Sequence, residues 1–219
     1  MAPNIRKMFA TPGPHPNGLQ AATDGLWVID QSDNHVYRLS YSDGSILASM
    51  KTDADRASGI TLGGGSMWIA STYNCKILKL NPRTGETLAE YETPGAGRSA
   101  WRQDDPQAIS TGAHGLEWVD DKLWIATPPS QTLYQVEPST WEILRAFKTP
   151  GARPHGMAWD NGYILLADTN MEEIHKIDPG TGKIVEKIEG VKPPPHGMTM
   201  YDGLLWYCDA DTRTVYCIG

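Results

Sequence analysis

Residues 154–168 read Pro-His-Gly-Met-Ala-Trp-Asp-Asn-Gly-Tyr-Ile-Leu-Leu-Ala-Asp. Asn161-Gly162 is a strong hairpin signal, because a two-residue turn with the right twist needs two positions that accept positive φ. The runs on either side have strand length and strand composition. The same arrangement recurs along the chain. With Gly156 as anchor, equivalent glycines stand at Gly18, Gly59, Gly115 and Gly197, and nine residues later come Trp27, Trp68, Trp124, Leu165 and Trp206. Eighteen residues after the anchors come Val36, Ile77, Leu133, Ile174 and Val215. The anchors are 41, 56, 41 and 41 residues apart, the one departure being a 15-residue insertion at about 96–110.

Four short strands per period of this length are the grammar of a β-propeller blade, and no segment carries a capped helical period. The unit that starts at Gly197 ends at Gly219, after three strands. The N-terminus supplies the fourth: Phe9-Ala10-Thr11-Pro12-Gly13 matches Phe147-Lys148-Thr149-Pro150-Gly151. The expected fold is all-β: a five-bladed β-propeller over residues 1–219, with four antiparallel strands per blade and the last blade closed by the N-terminal strand.

Composition agrees with a globular chain: 219 residues, 40% hydrophobic and 21% charged, with a formal net charge of −7. That charge argues against a nucleic-acid partner, and no apolar run is long enough for a membrane helix. Three cysteines, Cys75, Cys208 and Cys217, lack disulfide or zinc-knuckle spacing, which points to a reduced, cytoplasmic setting.

Counting outward from the Asn161-Gly162 turn pairs Met157 with Leu166 and His155 with Asp168. The same count pairs His196 with Asp209, Asn17 with Asp30, His114 with Thr127 and Ser58 with Ser71. Beneath each polar pair lies an apolar one, such as Leu19 with Val28 or Ile60 with Ile69, so the polar residues are expected to ring one mouth of the central channel. His114, His155 and His196 would then converge as ligands for a divalent ion (Zn, Mn, Fe or Mg), with the opposed acids orienting the rings. Without a metal, His155 with Asp168 and His196 with Asp209 read as acid–base dyads, since a neighbouring carboxylate raises an imidazole pKa. Glu117 is offset to the other face of its strand and is expected lower in the channel.

Asn17, Asp30, Ser58 and Ser71 complete the expected ring as substrate contacts. Arg56 and Arg153 stand two residues before Ser58 and His155, and add positive charge to the rim. The insertion carries Arg98, Trp101 and Arg102, suited to an anionic or planar ligand. His15, His35 and His175 fall outside the ring. The structural alternative is that polar residues in a repeat serve the repeat, each acid hydrogen-bonding within its own blade. The uneven series Asn, Ser, His, His, His speaks for function.

The strings Pro-His-Gly-Met, Leu-Trp-Ile-Ala and Asp-Pro-Gly-Thr-Gly-Lys-Ile resemble the streptogramin lyase (virginiamycin B lyase-like) family, which neighbours the gluconolactonase and NHL-type propellers. The resemblance implies a divalent metal, a channel histidine acting as base at His155 or His196, and an acid at Asp168 or Asp209. Those lyases have seven blades and a Glu where this chain has Asp. Residues and resemblance together set the expectation of a metal-dependent hydrolase or lyase acting on a small ester or lactone. The alternatives are a non-catalytic ligand- or protein-binding propeller, or a sugar binder that uses exposed tryptophans.

Overall fold

The computed structural model describes residues 3–99, 105 and 107–219. Blade 1 is built from β2 (Pro16–Ala22), β3 (Gly25–Asp30), β4 (His35–Leu39) and β5 (Ile46–Lys51). Blade 2 follows with β6 (Ala57–Gly63), β7 (Ser66–Ser71), β8 (Lys76–Leu80) and β9 (Thr87–Glu92). Within the insertion, β10 (Gly97–Arg98) pairs with β11 (Ser110–Thr111). Blade 3 is β12 (Gly115–Val119), β13 (Lys122–Thr127), β14 (Thr132–Val136) and β15 (Ile143–Lys148). Blade 4 is β16 (Pro154–Asp160), β17 (Tyr163–Asp168), β18 (Glu173–Ile177) and β19 (Ile184–Glu189). Blade 5 is β20 (Met198–Tyr201), β21 (Leu204–Asp209), β22 (Thr214–Ile218) and the N-terminal β1 (Ile5–Ala10). β1 runs antiparallel to β22, with Ile5 opposite Ile218 and Ala10 opposite Thr214, so the ring closes as the repeat predicts.

The apolar residues form five clusters, and each straddles two adjacent blades instead of filling one. Trp27, Ile29, Ile60 and Ile69 share the seam between blades 1 and 2, while Leu19, Val28, Trp206 and Val215 share the seam between blades 5 and 1. A blade therefore buries its faces only against its neighbours. The recurrent Trp27, Trp68, Trp124, Leu165 and Trp206 are all buried and belong to the seams between blades. Cys208 and Cys217 are buried, Cys75 is partly buried, and all three are unpaired.

The inner strands meet so tightly at the axis that the anchor glycines have no room for a side chain. A Cβ on Gly115 would lie 2.0 Å from the His155 carbonyl oxygen, one on Gly156 2.2 Å from that of His196, and one on Gly18 2.3 Å from that of Ser58. The void left along the axis here is about 10 Å³, too little for more than a single water. Close backbone approach, not a turn, explains why the anchor is always glycine.

This contact is backbone against backbone and cannot relax by side-chain rotation. Gly115→Ala should lower unfolding free energy by about 3 kcal/mol or more in urea titration, at the upper end of overpacking effects. Gly97→Ala, where nothing lies within 4 Å of the added Cβ, should change it by less than about 0.5 kcal/mol. Equal effects at the two sites would contradict the axial clasp.

Candidate functional site

The expected register holds as far as the apolar layer: Leu19 faces Val28, Ile60 faces Ile69, Leu116 faces Ile125, Met157 faces Leu166 and Met198 faces Tyr207. One layer up it fails. Asp168 is opposite Pro154, Asp30 opposite Pro16, and Ser71 opposite Ala57, because the inner strand carries one extra residue there. Such a bulge leaves a residue unpaired and re-aims its side chain. In blades 3 and 5, His114 and His196 precede the first paired residue, and their N–H groups donate to the Ala126 and Cys208 carbonyls at 2.9 and 2.8 Å. The ring residues thus turn to the mouth and away from the acids with which turn counting had matched them.

The acids bind backbone instead. Asp168 Oδ2 accepts the Arg153 N–H at 2.9 Å, and its Oδ1 accepts those of Asn170 and Met171, both at 3.1 Å. Asp30 accepts the His15 N–H at 2.5 Å and the N–H groups of Ser32 and Asp33. Ser71 Oγ accepts the Asp55 N–H at 2.7 Å. In blades 4, 1 and 2 these residues pin the entering strand to the turn that follows the second strand. Asp209 accepts the Thr212 N–H at 2.7 Å, and its other oxygen lies 3.8 Å from His196 Nδ1. The expected dyad of His155 with Asp168 is therefore absent, and the one around His196 is loose. Asp30 and Asp168 thus make the within-blade hydrogen bonds that the structural alternative describes.

The imidazoles do come together. His114 and His155 have ring centroids 4.7 Å apart at 87°, and His155 and His196 are 4.9 Å apart at 73°. On the other side of the ring, Ser58 Oγ accepts hydrogen bonds from Asn17 Nδ2 (3.2 Å) and Gln31 Nε2 (3.2 Å) and lies 2.9 Å from Thr72 Oγ1, whose own proton goes to the Ala113 carbonyl at 2.8 Å. Asn17, Gln31 and the three histidines surround a cavity of about 160 Å³ at the mouth, which Tyr73, Arg153 and His15 also line. Ser99 and Thr111, from the paired base of the insertion, reach it as well, with their hydroxyls 3.2 Å apart. His15 had been placed outside the ring. Its signal was visible, since it stands two residues before Asn17, the offset that Arg56 and Arg153 hold in their own blades.

Other expected contacts lie elsewhere. Arg56 sits over the Tyr73 ring at 4.8 Å, behind the cavity wall. Arg98 is exposed on β10 and does not line the cavity. Trp101 and Arg102 fall outside the described residues. Glu117 is buried on β12, away from the mouth, and His175 is buried on β18 with Nε2 2.9 Å from Glu173.

The three histidines do not make the expected metal centre. Among the described residues no group of three or more His, Cys, Asp or Glu is arranged to hold a metal ion. His155 Nδ1 lies 3.1 Å from the His196 carbonyl, which can only accept, so this nitrogen carries a proton. Burial, the largest cause, pushes His114 down to about 3 and His196 down to about 4, with the Arg153 charge adding to both. Burial likewise holds His155 well below the usual imidazole range. A carboxylate neighbour was expected to raise these values, but desolvation wins. The expectation of a three-histidine, metal-dependent hydrolase or lyase is therefore not met, and a non-catalytic propeller fits these residues better.

No family model and no curated protein matches the chain. Solved structures do. Glutaminyl cyclase of Myxococcus xanthus is 13% identical with a TM-score of 0.70, over 100% of this chain and 91% of that one. A catalytically inactive virginiamycin B lyase from Staphylococcus aureus, with quinupristin, is 21% identical with a TM-score of 0.57, over 93% of this chain and 65% of that one. A streptogramin B lyase structure is 20% identical with a TM-score of 0.57, over 93% and 64%. This chain spans about two thirds of the lyase chains. At these identities the likeness is one of fold.

Buried titratable groups give the ring a pH signature. Burial raises the Glu117 carboxyl from 4.5 to about 8, against a weaker opposing hydrogen bond from the Trp118 backbone. The folded chain keeps this proton while the unfolded chain releases it, so Glu117 withdraws stability as pH climbs from 4.5 to 8, on the order of 3 kcal/mol at pH 7. The depressed histidines act oppositely, losing stability as pH falls below 6.5, and they do so equally in any Glu117 variant. Glu117→Gln should melt with the parent protein at pH 4 and several degrees above it at pH 8. A gap that fails to open with pH would show a solvated carboxylate.

Proposed function

We propose that the protein is a non-catalytic binding propeller whose mouth cavity holds a small polar ligand bearing a carboxylate. The observation that carries this reading is the closed floor. The axis is sealed by backbone contact just below the ring, so the polar mouth is a cup and not a passage. A cavity of about 160 Å³ belongs to the size class that accepts a molecule as small as benzene. Its lining is polar. A neutral imidazole has one donor and one acceptor, of which His155 spends its donor on the His196 carbonyl and keeps its acceptor; Gln31 and Tyr73 add amide and phenol groups, and Arg153 supplies the cation.

Among the described residues, two lining residues keep buried polar atoms without a partner: Asn17 Oδ1 and His114 Nδ1. Buried orphans of this kind call for a ligand or water to satisfy them. The names of the fold neighbours, a cyclase and lyases, accord with a small molecule as partner, and the net charge of −7 accords with no nucleic acid.

The reading is tested by calorimetric titration with a panel of two- to four-carbon mono- and dicarboxylates, alongside native mass spectrometry of gently purified protein. At least one should bind, and Arg153→Ala should weaken it about 10- to 100-fold, the range for a charge-assisted hydrogen bond. Thermal stability of the variant should stay within a few degrees of the parent. A panel with no binder and a preparation with no retained small molecule would overturn the proposal. So would binding indifferent to Arg153→Ala.

A further inference from the structure

The seams between blades are not filled alike. Between blades 2 and 3, Trp118 stacks on Trp68 with centroids 5.7 Å apart, and Trp141 stacks on Tyr91 at 4.2 Å. Trp141 holds φ at 62°, a position occupied by Gly44, Gly85 and Gly182 in blades 1, 2 and 4. A bulky residue kept in the left-handed region is held there by its surroundings, here the Tyr91 stack and a 2.9 Å hydrogen bond from Nε1 to the Glu92 carbonyl. Between blades 5 and 1, Tyr41 and Tyr201 stack at 3.6 Å beside Trp206. In both seams the chain's own aromatic rings occupy the space beside the recurrent tryptophan.

Between blades 1 and 2 they do not. By repeat position, Leu62 stands where blade 3 has Trp118, Met50 where blade 2 has Tyr91, and Gly85 where blade 3 has Trp141. Register confirms the first equivalence: Leu62 faces Met67 as Trp118 faces Leu123. What remains is a groove of about 700 Å³ walled by Trp27, Met50 and Leu62, at the end of the blades opposite the mouth. The grooves of the two remaining seams measure about 210 and 260 Å³. The larger volume falls within the usual range for small-molecule sites.

The charges in the groove are unbalanced. Arg38 Nη1 donates to Asp24 Oδ2 at 2.5 Å, and its guanidinium lies 5.8 Å from the Trp27 ring, which commits that pair to each other. Arg83 is exposed at the groove's edge and, among the described residues, its guanidinium has no hydrogen-bond or ion-pair partner. We infer that this seam is a second binding site, for a small molecule with a flat aromatic ring and one carboxylate. The ring would take the place that Trp118 takes in the next seam, and the carboxylate would meet Arg83. Stacking of this kind contributes beyond simple burial, and an arginine fork matches a carboxylate. This site is independent of the mouth cavity.

The test uses 1-naphthoate and its uncharged analogue 1-naphthalenemethanol, with affinities from calorimetry and the contact from the Trp27 indole N–H resonance. Naphthoate should bind in the millimolar range or tighter and move that resonance. Leu62→Trp should abolish binding of both probes while leaving a fold at least as resistant to urea as the parent. Arg83→Ala, at an exposed position, should weaken naphthoate tenfold or more and leave the alcohol unchanged. The inference is overturned by no binding of naphthoate, by binding that survives in a folded Leu62→Trp protein, or by an Arg83→Ala change that affects both probes equally.

Discussion

Backbone pressed against backbone around the axis is the constraint from which the rest of this molecule follows. At the level of Gly18, Gly115 and Gly156 the inner strands approach until no side chain fits. The five blades sit so close that the clasp seals the channel directly beneath the ring of Asn17, Ser58, His114, His155 and His196. Just above the clasp, a bulge in blades 1, 2 and 4 and the end of the paired ladder in blades 3 and 5 release these side chains from their own sheets. The mouth cavity is polar because its residues are denied ladder partners, and shallow because its floor is closed.

The same economy explains the division of labour between acids and histidines. A propeller must fasten each incoming strand to the turn that follows the blade's second strand. Asp30 and Asp168 do this through backbone N–H groups, as Ser71 does in blade 2. With the acids so engaged, the imidazoles lose the partners that would charge them, and desolvation leaves them neutral. The neutral rings pack edge to face, and Nδ1 of His155 is given to the His196 carbonyl.

Much of this was legible in residue order alone. The anchors and the tryptophans nine residues on specify five blades, and the match of Phe9–Gly13 to Phe147–Gly151 specifies closure. Counting from Asn161-Gly162 gives the correct partners as far as Met157 and Leu166. It then slips, because a bulge adds a residue without any mark in a hairpin count. That slip set Asp168 opposite His155, whereas it stands opposite Pro154. The groove beside Trp27 was hidden for a different reason. The change from Trp118 to Leu62 is visible in the repeat, but its meaning depends on which blade each position faces, and only the folded ring shows that.

The most direct measurement of the central claim is 15N resonance of the imidazole nitrogens of His114, His155 and His196 from pH 5 to 8, before and after one equivalent of zinc. The account predicts three neutral rings whose shifts stay constant with pH and ignore the metal. Titration of any of the three within that range, or a shift of all three on adding zinc, would contradict it.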